Sequence, residues 1–338
     1  MLIYDLTLDE LVSFLNEHEF KNYRANQIWH WLYKQKAKTF DEMENLPNDL
    51  IKILKENFKI EALELVVQHT SVDGTLKCLF SLHDGHLIES VLMKQHYGNS
   101  ICVTTQVGCN IGCSFCASGV LAKKRDLTSG EIIAQVIETE RLLGERINYI
   151  VVMGIGEPFD NYENLKHFLL TVNDPKGLEI GARHITVSTS GIVPKIKEYA
   201  DFGIQVNLAV SLHAPNNKIR SGLMKINQAY PVEEVLDAIR YYIKKTKRRV
   251  TIEYILIDGV NDMVEVAGEL AQKLRGLNVY VNLIPYNEVI EAPYKRSKYE
   301  AQLAFYDVLK KHNIQVTLRK EQGHDINAAC GQLRSQHL

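Results

Sequence analysis

The sequence predicts an α/β fold, a parallel sheet curled into a partial (β/α)6 barrel and preceded by a small module of helices and a β-hairpin. Two observations carry that expectation. From about residue 100, short apolar strand-like runs alternate with amphipathic helical stretches at a period of about 30 to 40 residues. Before about residue 95 the pattern differs, with helical spacing first and two alternating segments around a turn last. The expected division is residues 1–95 for the module and 96–338 for the barrel. A doubly wound open sheet has the same periodicity and stays open at this point.

Leu8, Leu11, Val12 and Leu15 fall on one face and predict a first helix. Residues 24–33 carry Ile28, Trp29 and Leu32 and predict a second, and 40–58 supports one or two more, interrupted at Pro47. From Ala62 the pattern becomes alternating. Residues 77–82 and 87–93, separated by His83-Asp84-Gly85, form the hairpin. Barrel strands are expected at 101–105, 149–153, 184–188, 205–211, 250–257 and 279–284, with helices at 129–143, 162–172, 194–201, 231–244 and 264–274. Loops at the strand C-termini of such a barrel carry its chemistry.

Composition narrows the class. A chain of 338 residues, 46% hydrophobic and 24% charged, can bury an ample core. Its longest apolar stretches, 149–153 and 204–212, fall well short of the roughly 20 residues that span a bilayer. The start is acidic and amphipathic rather than signal-like, so a cytoplasmic protein with no membrane partner is expected. Six cysteines, three of them clustered, suit a metal site in a reducing compartment better than a disulfide scaffold. The net charge of −2 gives no global sign of a polyanion partner. Basic clusters occur at Lys34, Lys36 and Lys38, at Lys123, Lys124 and Arg125, and at Lys244, Lys245, Lys247, Arg248 and Arg249. Taken singly, such runs are ordinary solvated helix ends, and beside an RNA-directed motif those at 123–125 and 244–249 would count as phosphate contacts.

Cys109, Cys113 and Cys116 follow the first barrel strand in C-x3-C-x2-C spacing, which lets one loop turn three thiolates toward a common centre. An iron–sulfur cube normally takes four cysteines. Three leave one iron open to chelate the amino and carboxylate groups of S-adenosylmethionine, so that a [4Fe-4S] cluster can cleave it to a 5′-deoxyadenosyl radical. A zinc site of three cysteines and a histidine is the alternative. The nearest upstream histidines, His96 and His86, lie at least 13 residues before the motif, and Phe115 before the last cysteine is typical of radical S-adenosylmethionine enzymes.

Further motifs occur in order: Gly154-Ile155-Gly156-Glu157-Pro158, Ser188-Thr189-Ser190-Gly191, Ser211-Leu212-His213-Ala214, the stretch 282–287 ending in Asn287, and the stretch 325–333 around Cys330. With these and the cysteine loop, the chain resembles the bacterial dual-specificity RNA adenosine C2-methyltransferase family. That family modifies 23S rRNA in the peptidyl transferase centre and the adenosine next to the anticodon in tRNA. The resemblance implies a cysteine carrier, Cys330, that is first methylated and then loses hydrogen to the radical, so that its carbon adds to C2. It implies Cys102 as the partner in a transient disulfide that releases the product, and Glu89 as proton acceptor. It further implies S-adenosylmethionine contacts at Gly156, Glu157, Ser188, Ser211, Leu212, His213 and Asn287, with Cys109, Cys113 and Cys116 on the cluster. Two S-adenosylmethionine molecules per turnover, an external flavodoxin-like electron donor and an RNA-engaging N-terminal module are also implied. The target base would have to be unstacked into the pocket.

Without the resemblance these residues read differently. A lone strand cysteine such as Cys102 is usually a small buried hydrophobe, and a lone strand glutamate such as Glu89 a solvent-facing residue. Cys78 matches no motif and is expected in the core. Ile155 and Phe159 stand where the family usually has methionine and leucine, and 320–324 is less basic than usual. A related enzyme that methylates C8 and confers antibiotic resistance usually has Cys-Gly-Cys and Gly-Glu-Ala where this chain has Val107-Gly108-Cys109 and Gly156-Glu157-Pro158, so C2 is favoured. From another class, the alternative is a non-catalytic, zinc-structured RNA-binding protein.

Overall fold

The computed structural model describes residues 1–120 and 122–333. It opens with α1 (Leu8–Glu17), α2 (Tyr23–Tyr33) and α3 (Asn48–Asn57). Helix α1 starts at a capping box, in which the Thr7 hydroxyl accepts the Glu10 amide and the Glu10 carboxylate accepts the Thr7 amide. Leu11 and Leu15 of α1, Ile28 and Leu32 of α2, and Leu50 and Leu54 of α3 face inward and are fully buried. Pro47 stands just before α3, where its missing amide costs nothing, and a short 3-10 turn at Phe40–Glu42 precedes it.

Four antiparallel strands follow: β1 (Leu63–Thr70), β2 (Leu76–Leu82), β3 (Leu87–Gln95) and β4 (Gly98–Cys102). Next come the short ladder of β5 (Gln106–Val107) with β6 (Arg125–Asp126), then α4 (Ser129–Leu143), β7 (Ile147–Val152), α5 (Tyr162–Asn173), β8 (Ile185–Thr189), α6 (Val193–Asp201) and β9 (Asn207–Ser211). The chain continues through α7 (Asn217–Leu223), α8 (Val232–Thr246), β10 (Val250–Leu256), α9 (Val264–Leu274), β11 (Val279–Pro285), α10 (Tyr299–Lys311) and β12 (Gln315–Leu318).

One ten-stranded sheet runs β1-β2-β3-β4-β7-β8-β9-β10-β11-β12, and every pairing from β4 onward is parallel. A doubly wound sheet reverses its strand order part-way. Here the order rises without reversal from β4 to β12, and α4, α5, α6, α8, α9 and α10 make the six crossovers of a (β/α)6 partial barrel. The last unit, α10 with β12, and the short α7 carry signals too weak for the sequence to have marked them. The sheet is unbroken across residue 95, because β3 pairs with β4 from Val91↔Cys102 to Gln95↔Gly98. The hairpin therefore extends the barrel's own sheet.

The helical module packs on α4. The Asp5 carboxylate accepts the Gly130 amide at 2.8 Å in the first turn of α4, where a helix N-terminus favours an anion. Near the other end, Arg141 donates to the carbonyls of Lys36 and Ala37. Module and barrel share one hydrophobic core, which includes Cys78. Among the described residues no helix is long and apolar enough to cross a membrane.

Candidate active site

The C-terminal ends of β7 to β11 open into a cavity with Cys109, Cys113 and Cys116 on one wall. Their loop leaves β5 and returns at β6, turning through Gly108 at φ +78° and Gly112 at φ +65°, left-handed values that favour glycine. It is pinned to α7, since the Ser114 amide donates to the Leu223 carbonyl at 2.9 Å and Phe115 packs with Leu223 and Met224. Burial pushes the Cys109 thiol up to about 12 and raises Cys113 and Cys116 as well. Buried thiols that would cost free energy to ionise alone suit ligation, where a metal takes the place of the proton. Among the described residues no three cysteine, histidine or acidic side chains crowd onto one ion-sized point. A cube takes each thiolate on a different iron, and the three thiols of this loop supply three of its four ligands.

Facing the cysteines are Gly156, Glu157, Ser188, Ser211 and His213. Glu157 is held rigidly, one carboxylate oxygen accepting the Phe159 amide at 3.0 Å and the other the Ser190 amide at 2.7 Å. Burial raises its carboxyl above the usual range, against the pull of those amides. The glycines are needed first by the protein itself. A Cβ on Gly154 would stand 2.6 Å from Thr104 Oγ1, and one on Gly156 2.6 Å from Gln106 Cβ. His213 Nδ1 accepts the Ile255 amide at 3.1 Å, which leaves the ring proton on Nε2. Burial, with Arg220 adding, lowers this histidine to about 3, so the ring is neutral where it meets the Phe115 ring edge-on at 5.0 Å.

Leu212, by contrast, turns its side chain into the core. Its carbonyl accepts Arg220 Nε at 3.1 Å, and Arg220 also donates to the carbonyls of Ser190 at 2.6 Å and Tyr230 at 3.1 Å. This fully buried arginine ties the ends of β8 and β9 together.

A second cavity adjoins the first, lined by Val91, Met93, Cys102, Asn287, Arg319 and Cys330 among others. Cys330 and Arg319 line both. The Cys330 segment is anchored on three sides. Asn287 Nδ2 donates to the Cys330 carbonyl at 3.2 Å, the Ala117 amide to the Gly331 carbonyl at 2.8 Å and the Ser118 hydroxyl to the Leu333 carbonyl at 2.9 Å. The β1–β2 turn clasps it from outside: Asp73 accepts the Gly323 amide at 2.9 Å, and Asp325 accepts the Ser71 hydroxyl and the Val72 amide. Asn287 Oδ1 is buried without a hydrogen-bond partner, an open acceptor of the kind a polar cofactor would satisfy. Cys102 and Cys330 are both free thiols.

Residues 103–274 match the Radical SAM superfamily, and residues 2–60 match the Ribosomal RNA large subunit methyltransferase N-terminal domain. A protein of Acholeplasma laidlawii (strain PG-8A) named probable dual-specificity RNA methyltransferase RlmN is 67% identical over 338 residues, covering 100% of each chain. One of the same name from Streptococcus agalactiae serotype Ia is 59% identical, covering 99% of this chain and 94% of its own. The crystal structure of a radical SAM methyltransferase from Sphaerobacter thermophilus superposes with a TM-score of 0.96 at 46% identity, covering 99% of this chain and 100% of that one.

The chain belongs to the RlmN family of radical SAM proteins. Membership in the radical SAM superfamily implies a [4Fe-4S] cluster and S-adenosylmethionine, and the three-thiol cavity has the donor set for them. It also weighs against zinc in the cysteine loop.

In this RlmN-family chain the residues expected from sequence divide into three groups. The three cysteines, Gly156, Glu157, Ser188, Ser211 and His213 share the first cavity, while Cys102, Asn287 and Cys330 meet in the second. Glu89 and Leu212 line neither. Glu89 is not the solvent-facing residue that a lone strand glutamate usually is: it is buried, 3.4 Å from the equally buried Lys77 ammonium. It lies on the same face of β3 as Val91, two residues on, which does line the second cavity. Lys77, Arg220 and Arg319 carry no motif, and only the fold reveals them. Of the basic runs, Lys123 is held by Asp126 and Asp160 and Arg125 by Asp84 and Glu131, so those cations are already matched.

Proposed function

We propose that this protein is a radical S-adenosylmethionine methyltransferase that methylates C2 of an adenosine in 23S rRNA and of the adenosine next to the anticodon in tRNA. The observation that carries the reading is the position of Cys330, which lines both the cavity of the three cysteines and the cavity of Cys102. An electron-poor ring carbon cannot attack a methyl sulfonium as a nitrogen would, so a carrier is needed that faces the methyl source on one side and the base on the other. When bound, the cluster and S-adenosylmethionine supply the methyl group and a 5′-deoxyadenosyl radical, with the electron coming from an external flavodoxin-like donor.

The chain's own residues do the rest. Cys109, Cys113 and Cys116 would hold the cluster, and Gly156, Glu157, Ser188, Ser211, His213 and the backbone of Leu212 would orient the cofactor, with Asn287 reaching it from the second cavity. The Cys330 thiolate takes the methyl group by displacement and carries it. Its methyl carbon, having lost a hydrogen atom, adds to C2, and Glu89 accepts the C2 proton. The Cys102 thiolate then bonds to the Cys330 sulfur as the sulfur–methylene bond breaks, and the freed carbon takes a proton to become the methyl group. One electron leaves to an external acceptor, and a two-electron thiol reductant later reopens the disulfide. Residues 1–95 would engage the RNA.

The related C8 chemistry is the second reading, and the Gly156-Glu157-Pro158 wording disfavours it. Nucleoside mass spectrometry of rRNA and tRNA from cells lacking the protein decides between them. Loss of 2-methyladenosine is expected, whereas loss of 8-methyladenosine would overturn the C2 assignment.

A further inference from the structure

The opposite end of the barrel holds another cavity, built where β8, β9, β10 and β11 begin, with Arg183, Arg248, Arg249, Asn207, Tyr199 and Tyr280 in its walls. Its three arginines are oriented but not neutralised. Arg183 donates to Gln205 Oε1 at 3.0 and 3.2 Å, Arg248 to Asn207 Oδ1 at 2.7 Å and Arg249 to Gln315 Oε1 at 3.0 Å. All three acceptors are neutral amide oxygens. Among the described residues no aspartate or glutamate lines the cavity, and Asp201, at the end of neighbouring α6, is paired with Lys245. Guanidinium forks match carboxylate or phosphate oxygens, and three of them around one concavity repel each other until an anion enters.

The walls add a second sign. The Tyr199 hydroxyl is buried with no hydrogen-bond partner, although its ring lines this cavity. Arg249 lies over the Tyr280 ring, 4.9 Å from its centroid, which fixes the guanidinium plane at the rim.

We infer that this cavity binds a phosphoryl group, held by Arg183, Arg248 and Arg249. Three forks offer enough N–H donors for the three terminal oxygens of a phosphate, which a single carboxylate could not occupy. The site is separate from the methyl-transfer chemistry. Strands of five residues in β8 and seven in β11, at ~3.3 Å per residue, put the two ends about 17 to 23 Å apart. The phosphoryl group comes either from a free anion such as a nucleotide or from the backbone of an RNA that reaches round the barrel.

The test is calorimetric titration of the cluster-loaded full chain with inorganic pyrophosphate at low and high salt. Saturable binding of one anion per chain is expected, weakened at least tenfold by Arg248→Gln and by the surface pair Arg183→Gln with Arg249→Gln, and unchanged by Lys244→Gln outside the cavity. The surface pair keeps the test independent of folding, because both side chains are exposed. A substrate RNA hairpin that displaces pyrophosphate identifies a backbone phosphate as the occupant, and one that binds without displacing it identifies a free anion. No saturable binding, or binding indifferent to all three arginines, would overturn the inference.

Discussion

The Lys77 ammonium lies 3.4 Å from the Glu89 carboxylate, and both side chains are only 4% exposed. Lysine and glutamate are rarely buried unless paired, and removing one partner of such a pair typically costs about 3 to 5 kcal/mol. Neighbouring strands bring the two together, with Leu79 opposite Glu89 in the β2–β3 register. If Glu89 takes the C2 proton, Lys77 is the residue that steadies it. Lys77→Met is expected to lower methyl transfer at least tenfold while Cys330 methylation and 5′-deoxyadenosine release persist, with protein–RNA adduct accumulating. A variant that loses cluster, adduct and product together would mark Lys77 as merely structural.

The clasp between the β1–β2 turn and the Cys330 segment makes a different prediction. Burial tends to raise the Asp73 carboxyl, but the Gly323 amide, with hydrogen bonds from Thr75 and Ser71, holds it at about 2, and the Ser71 hydroxyl with the Val72 amide lowers Asp325. Both pKa values are depressed in the folded state. Their contribution is present above the ordinary carboxylate value of 3.8 and is lost as pH falls below it, for Asp73 through about 2. Solvent exposure keeps it modest. The three hydrogen bonds of the clasp end on ionised carboxylates that are largely open to solvent, so losing them is expected to change the population of the seated segment by no more than about tenfold. Asp73→Ala with Asp325→Ala is therefore expected to cut turnover by up to that factor and speed alkylation of Cys330, at unchanged iron content. Unchanged alkylation would show that the clasp does not position the cysteine.

Cys102 and Cys330, which meet in the second cavity, separate by their failures. Cys330→Ala is expected to abolish methylation while keeping the cluster's absorption near 400 nm. Cys102→Ala is expected to leave RNA covalently attached to Cys330, visible as a shifted band that nuclease digestion collapses. Normal release of methylated RNA from the Cys102 variant would remove the resolving role.

Much of this arrangement was legible because the sequence writes it locally. Ser129–Leu143 announces its own start through Thr128 and Glu131, and Cys109, Cys113 and Cys116 share one short loop. Strand ends, too, were readable from apolar runs stopping at Ser188 and Ser211. What stayed hidden depends on residues far apart in the chain. Nothing near Lys77 says that it will be buried against Glu89, because a strand lysine ordinarily points to solvent. Arg220 sits in a short helix of seven residues and looks like a surface cation, yet the carbonyls it holds, of Ser190, Ser211, Leu212 and Tyr230, all lie outside that helix. The extension of the barrel sheet by the hairpin was equally invisible, since register between β3 and β4 is a pairing, not a pattern. Gly156 was expected as a cofactor contact, and the fold gives the glycines at 154 and 156 a nearer reason in Thr104 and Gln106.

Arg319 follows β12 at the wall between the two cavities, with Cys102, Cys330 and Glu253 as its electrostatic neighbours. Burial, with Cys330 adding, pushes the Cys102 thiol up to about 12, and Arg319 opposes that rise. A thiol so placed is protonated at neutral pH and a poor nucleophile, since it is the thiolate that attacks. If Cys102 performs the release step, Arg319 is the cation that favours its reactive form, acting through Cys102 rather than on substrate. Arg319→Met is expected to slow release and accumulate the Cys330–RNA adduct, and to move the rise of the release rate with pH to higher pH. Arg319→Lys should recover part of the rate, because it restores the charge without the planar fork. An adduct lifetime with the same pH profile in Arg319→Met as in the unaltered chain would leave Arg319 with a packing role only.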